Sequence, residues 1–334
     1  MKYFTHLHLH TSYSLNSGTI KIDDLINTAK KRNISSLAMT DHLNIFGAVK
    51  FYNKCIKARI KPIIGCEIPL IIEQNNRIDN IVLLCQNING YYNLNKILSS
   101  IHKSRSSNLG ASLELLKKYN SDLICLSGSR NGLCGANMLQ TPIDVTRQRI
   151  ESISEIFDDR FYIEIDRTSR VNENEYNNIA LSCARDLSLP IVASNDVLFM
   201  NDTDYEANEV KVSIIQKTKL DDRANQDEYS PDQYFKSQDE MLSLFKDQTS
   251  ALKNISNIIE RCNFKFPKFK YHLPTFSNPT KKDDDQYFRD LCDEGLNKYL
   301  KSNDYNKKKY TDRLNNEISV IQKMGFASYF LLVD

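Results

Sequence analysis

The chain has 334 residues, 26% of them charged, with a net charge of +2 and a mean hydropathy of −0.47. That length can bury one large core or two, and so even a charge balance does not mark a nucleic-acid binder. No apolar run approaches the ~20 residues that span a bilayer, and no leader pattern opens the chain, so no membrane association and a cytoplasmic location are expected. The eight cysteines are scattered without a C-x-x-C spacing and most sit in apolar stretches. They read as reduced thiols, not as a disulfide framework or zinc ribbon. Neither a Walker loop nor a dinucleotide fingerprint is present.

The first element, 3–10, is the most informative. His6, His8 and His10 are half of the six histidines, and they alternate with Leu7 and Leu9. In a strand, that spacing puts the three imidazoles on one face and the leucines on the other. Imidazoles converging from one strand are a means of holding zinc, manganese or iron. An expression tag is the bland alternative, but tags do not alternate with leucine. Further strands are expected at 36–41, 61–70, 80–86, 122–128, 161–166 and 190–196. Helix-length segments at 22–33, 46–59, 91–103, 145–157 and 173–187 separate most of them. In the first, Ile22, Leu25, Ile26 and Ala29 recur at helical spacing. The alternation predicts a mostly parallel sheet buried on both faces, and seven strands suggest a β/α barrel.

Polar residues gather at the predicted strand ends: His8 and His10, Asp41-His42, Glu67, Ser127 to Ser129, and Asn195-Asp196. In a β/α barrel these ends meet at one mouth. Ser127 and Asn195 serve equally well as turn formers. Beyond about residue 200 the pattern turns helical. Ser237-Gln-Asp-Glu240 reads as a capping box, and 250–262 as an amphipathic helix carrying Leu252, Ile255, Ile258 and Ile259. The Pro- and Lys-rich stretch 265–285 is the best boundary candidate, with helices resuming at 286–300 and 308–324. The apolar run 326–333 has no polar tail, which leads us to expect a fragment of a longer polypeptide.

Three stretches carry a family resemblance. They are His6-Leu-His-Leu-His-Thr-Ser-Tyr-Ser14, Thr40-Asp-His-Leu-Asn-Ile-Phe-Gly-Ala-Val-Lys-Phe-Tyr52 and Ile60-Lys-Pro-Ile-Ile-Gly-Cys-Glu67. They resemble the PHP (polymerase and histidinol phosphatase) domain, in the version that opens bacterial replicative DNA polymerase III alpha subunits. Gly90-Tyr-Tyr-Asn-Leu94, Pro190-Ile-Val-Ala-Ser-Asn-Asp196 and Tyr229-Ser-Pro-Asp-Gln-Tyr-Phe235 continue the likeness, and 324–333 is similar to the start of the polymerase portion.

The resemblance implies a distorted seven-stranded barrel with up to three metals at its mouth. It implies two domains: 1–280, a PHP-type barrel with a helical extension from about 200, and 281–334, the truncated beginning of the polymerase portion. At the family's metal positions the chain keeps His8, His10, His42, Glu67 and Asp196. The other four hold Ser17, Asn80, Ser129 and Leu198. The kept set His8, His10, Glu67 and Asp196 resembles one complete site, able to hold one Zn or Mn ion. Because phosphoester hydrolysis at such sites uses several cations, weak or absent hydrolysis is expected. The bland reading is that the four are inherited groups whose hydrogen bonds hold the mouth together. The same resemblance implies the N-terminal part of a replicative polymerase, acting on DNA and deoxynucleotides with Mg through a portion beyond Asp334. It also implies contacts with a proofreading exonuclease subunit and other replicase subunits. The alternatives are an active metal-dependent 3′–5′ exonuclease barrel and a stand-alone phosphoesterase. His6 reads as a satisfied core histidine, His102 and His272 have no assigned role, and the basic stretch 301–309 reads as a solvated face.

Overall fold

The computed structural model describes residues 4–15, 17–72, 77–104, 109–135, 141–220, 228–267, 276–280, 282–301 and 306–333. His272 lies outside the described residues. The chain divides into two compact units, Met1–Phe266 and Pro267–Asp334.

The first unit is an α/β structure around one sheet. Its elements begin with α1 (Ile22–Lys31), β1 (Ser36–Met39), α2 (Ala48–Lys57), β2 (Lys61–Ile72), β3 (Arg77–Cys85), α3 (Ile88–Lys103) and α4 (Leu113–Tyr119). They continue with β4 (Leu123–Leu126), α5 (Ile143–Phe157), β5 (Phe161–Asp166), α6 (Glu173–Asp186) and β6 (Ile191–Ser194). The helical extension comprises α7 (Tyr205–Gln216), α8 (Gln238–Leu244) and α9 (Thr249–Arg261). The helices form where periodicity and caps agree. In α1, Ile22, Leu25, Ile26 and Ala29 are the buried stripe, with Asp23 and Asp24 in the first turn and Lys30 and Lys31 in the last, matching the helix dipole. Asn87 caps α3 by accepting from the amides of Asn89 and Gly90, and the Ser237/Glu240 capping box opens α8.

The sheet runs β1-β2-β3-β4-β5-β6 in sequence order. The pairs β1/β2, β4/β5 and β5/β6 are parallel, whereas β3 is antiparallel to both of its neighbours. The expectation of a mostly parallel sheet is therefore corrected at β3. Only residues 73–76 separate β2 from β3, too few for the crossover that a parallel pair requires.

The expected strand 3–10 is also corrected: residues 4–10 form no regular ladder. The amide of Leu9 donates to Thr40 Oγ1 at 2.8 Å instead of to a ladder carbonyl. The segment is nevertheless held on both sides. Thr40 N–H donates to Leu9 O at 2.9 Å, while His10 N–H donates to Val197 O at 2.8 Å and Val197 N–H to His8 O at 3.1 Å. Residues 4–10 thus lie between the end of β1 and the stretch following β6, which brings the histidines beside the ends of several strands. Leu7 and Leu9 are fully buried with Val192, Leu37 and Ile63 in the main core. Gly128, at φ +72°, is required where β4 ends, because an added Cβ would lie 2.1 Å from the carbonyl oxygen of Asn80.

His6 is separated from the other two histidines. Its ring packs 5.0 Å from both Phe4 and Phe235, and Nε2 meets the Lys236 carbonyl at 2.9 Å. Burial pushes this imidazole down to about 4. Between pH 6.5 and 4 the unfolded chain therefore takes up a proton that the folded chain refuses, so this group removes stability as the pH falls through that window. The full difference is roughly 3 kcal/mol. A His6→Phe variant, which keeps a ring there, should show a shallower loss of unfolding free energy between pH 7 and 4.5 in urea titrations; an unchanged slope would refute the assignment.

The second unit contains α10 (Asp284–Lys301), α11 (Lys307–Lys323) and α12 (Ala327–Val333), which bury Phe288, Ile318, Ala327 and Leu331 in a small core of their own. Ser328 Oγ donates to Asp284 Oδ2 at 2.6 Å, tying α12 to the start of α10. Among the described residues no helix is long and apolar enough to cross a membrane.

Candidate metal centre

Four elements deliver side chains to one buried cluster. His8 and His10 come from the N-terminal segment, Glu67 from β2, Glu164 from β5, and Asp196 from the residues just after β6. Asp196 leaves the strand with φ +44°, a left-handed conformation that turns its carboxylate toward the histidines. Non-glycine residues in that region are strained, and such strain concentrates at functional sites.

The donor atoms converge. His8 Nε2 and His10 Nε2 are 3.2 Å apart, and His10 Nε2 lies 3.4 Å from Asp196 Oδ1. His8 Nε2 is 3.6 Å from both Asp196 Oδ1 and Glu67 Oε1. A tetrahedral ion with bonds of about 2.0–2.1 Å holds its donors about 3.3–3.4 Å apart. Two imidazoles and one carboxylate, from His8, His10 and Asp196, lie at separations a zinc-like ion can span, and Glu67 approaches this group through His8.

Neighbouring groups orient the donors. His8 Nδ1 donates to Glu164 Oε1 at 3.0 Å, which turns Nε2 toward the cluster. His10 Nδ1 meets Ser14 Oγ at 2.9 Å, and Ser14 Oγ also accepts from the amide of His42 at 2.8 Å. His42 Nδ1 lies 2.7 Å from Glu67 Oε2. Below the cluster, Asp41 accepts from the Thr11 amide at 2.6 Å and its hydroxyl at 2.8 Å, anchoring the loop after His10.

Charge in the cluster is strongly coupled. Burial alone would lower His8, but the carboxylates of Glu164 and Asp196 outweigh it and raise its pKa well above the ordinary value. Burial alone would raise Glu67 and Asp196. Hydrogen bonds from His42 and His8 instead hold Glu67 well below the usual range, and the charges of His8 and Arg170 hold Asp196 down.

The nine positions singled out in the sequence separate into three groups. His8, His10, Glu67 and Asp196 converge, with His42 attached through Glu67. Ser17, Asn80 and Leu198 line the same cavity of about 330 Å³, beside Tyr229. Ser129 is instead engaged by Arg170 at 2.9 Å. Ser127 and Asn195 do structural work: Ser127 Oγ accepts from the Glu164 amide at 2.9 Å, and Asn195 Nδ2 donates to Tyr234 O at 2.8 Å. His102 binds the Leu43 carbonyl at 2.8 Å, away from the cluster.

Sequence reasoning missed Glu164, Ser14, Tyr229 and Arg170. A signal existed for the first: Glu164 and Asp166 are acids within the otherwise apolar strand Phe161–Asp166, every residue of which is buried. If Glu164 orients His8, Glu164→Gln should weaken binding of an added divalent ion by roughly 10–100-fold while leaving the fold intact. Isothermal titration with Zn²⁺ checks this, and equal affinity would remove Glu164 from the site.

Residues 6–168 match the PHP domain, and residues 286–334 match the bacterial DNA polymerase III alpha NTPase domain. The chain is 36% identical, over 99% of its length, to the DNA polymerase III subunit alpha of Pseudomonas aeruginosa, and 34% identical over the same share to that of Escherichia coli strain K12. The similarity to these alpha subunits runs along nearly the whole chain, which spans 29% of their length. Among solved structures, an amidohydrolase from Chromobacterium violaceum has a TM-score of 0.41 and 12% identity, covering 58% of this chain and 87% of that one.

Proposed function

We propose that the chain is the N-terminal part of a replicative DNA polymerase III alpha subunit, in which the first unit is a reduced PHP barrel serving mainly as a scaffold. The relationship to alpha subunits along 99% of the chain carries this reading. In it, residues 1–280 are the PHP-type portion with its helical extension, and 281–334 begin the polymerase portion. The whole protein copies DNA from deoxynucleotides with Mg²⁺, through carboxylates beyond residue 334. A proofreading exonuclease subunit and other replicase subunits are its partners.

Within the barrel, His8, His10, Glu67 and Asp196 hold one Zn²⁺ or Mn²⁺. The 3.2–3.6 Å separations among the donors of His8, His10 and Asp196, with Glu67 3.6 Å from His8, support a single ion. When bound, that ion supplies Lewis acidity and charge neutralisation. Glu164 and Ser14 fix the imidazole orientations, and Glu67 bridges toward His42. Two of the altered positions offer no good ligand: Leu198 cannot ligate, and Ser129 offers a neutral hydroxyl already bonded to Arg170. One ion without partners is a poor phosphoesterase centre, because hydrolysis of this kind relies on cations on both sides of the reacting phosphate.

Metal analysis of the purified chain, followed by a nuclease assay with added Mn²⁺, tests the barrel. One ion per chain with cleavage of single-stranded DNA near background is expected; three ions with robust cleavage would establish an active exonuclease or phosphoesterase instead. Primer extension by the full-length gene product tests the polymerase assignment.

A further inference from the structure

The guanidinium of Arg170 is sealed from solvent beside the cluster; the residue is 3% exposed. Every polar contact it makes is to oxygen. Nε–H donates to Thr168 Oγ1 at 3.1 Å, one terminal nitrogen to Asp196 Oδ2 at 2.9 Å, and the other to Ser129 Oγ at 2.9 Å and to the Asp166 carboxylate. Asp166 also accepts the hydroxyl of Tyr176, which fixes it in place. Two carboxylates and two hydroxyls surround one enclosed guanidinium, an all-oxygen set of the kind a hard divalent cation takes once the oxygens draw inward.

Asp196 links this cage to the metal cluster. Its Oδ1 faces His8 and His10, while Oδ2 is taken by Arg170 and, at 3.1 Å, by Gln233 Nε2. Each oxygen therefore serves a different cation. The buried acids around the two cages include Glu67, Glu164, Asp166 and Asp196, and the half-buried Glu173 adjoins Arg170 through Thr168. Arg170 is the fixed positive charge set between Asp166 and Asp196, and in a low-dielectric interior such acids cannot stay ionised without one.

We propose that Arg170 is a built-in substitute for a second divalent ion: it occupies an oxygen cage next to the His8/His10 cluster and limits the mouth to one exchangeable metal. The inference extends the single-ion reading given above and rests on it for the count of one. Removing the guanidinium while leaving Asp166, Asp196, Ser129 and Thr168 in place opens the cage to a hard cation such as Mn²⁺.

The test is equilibrium dialysis of the 334-residue chain against Mn²⁺, with metal analysis and thermal melting at constant ionic strength. The chains compared are wild type, Arg170→Met and Arg170→Lys. The Arg170→Met chain should bind one ion more than wild type and melt lower without metal, recovering when Mn²⁺ but not extra Na⁺ is added. Arg170→Lys, which keeps a cation, should bind the wild-type number. An unchanged count in Arg170→Met, or failure of that variant to fold both with and without Mn²⁺, would show that Arg170 is only a strut. Wild type binding no ion, with Arg170→Met binding one, would overturn the single-ion reading and leave the role of Arg170 intact.

Discussion

Val192→Asp will unfold the Met1–Phe266 unit or leave it barely stable. Val192 is fully buried in β6, and its partner across the parallel ladder is Glu164. An aspartate there adds a second carboxylate beside one already committed to His8. An uncompensated buried charge costs about 3–5 kcal/mol, a large share of a typical domain's stability. For a unit of this size the melting temperature should fall by roughly 6–20 °C. Val192→Asn, polar but uncharged, should fall less, separating charge from polarity. Melting of Val192→Asp indistinguishable from wild type would mean that β6 is not a core strand.

His10→Ala should bring the metal content of the chain close to zero. His10 Nε2 belongs to the donor set, at 3.2 Å from His8 Nε2 and 3.4 Å from Asp196 Oδ1. Its loss leaves one imidazole and two carboxylates, and affinity should drop by more than the roughly 10–100-fold typical of losing a group that only supports a ligand. His42→Ala is the comparison. Its Nδ1 acts on Glu67 Oε2 and not on the shared point, so a smaller loss is expected. Both variants can be read by metal analysis after dialysis and by circular dichroism to verify folding. If His10→Ala retains metal at the wild-type level, or wild type holds none, the cluster is a hydrogen-bonded remnant whose role is to brace the strand ends.

These variants also separate two uses of one set of residues. Buried polar networks rigidify a core when fully satisfied, and can persist after chemistry has gone. The links from His8 to Glu164, from His10 to Ser14 and from Asp196 to Arg170 would do that work with or without an ion. A scaffold reading and a metal reading therefore predict similar structures and different titrations.

The sequence alone determined much of the local architecture. The stripe Ile22, Leu25, Ile26 and Ala29, the Ser237/Glu240 box and the apolar face of Thr249–Arg261 are short-range patterns, and each forms the helix its spacing requires. The short polar ends of apolar runs likewise located Asp41, Glu67 and Asp196. Tertiary structure decided the rest. The direction of β3 depended on the few residues available to connect it, and residues 4–10 lost their regular ladder to a single threonine hydroxyl. Identical spacing could not tell His6, enclosed by Phe4 and Phe235, from His8 and His10, facing carboxylates; nor could it reveal that Arg170, distant in the chain from Ser129 and Asp196, would lie between them. Periodicity reports which way a side chain points along its own element. What it meets there is set by long-range packing, where burial turns a modest contact between charges into a strong one.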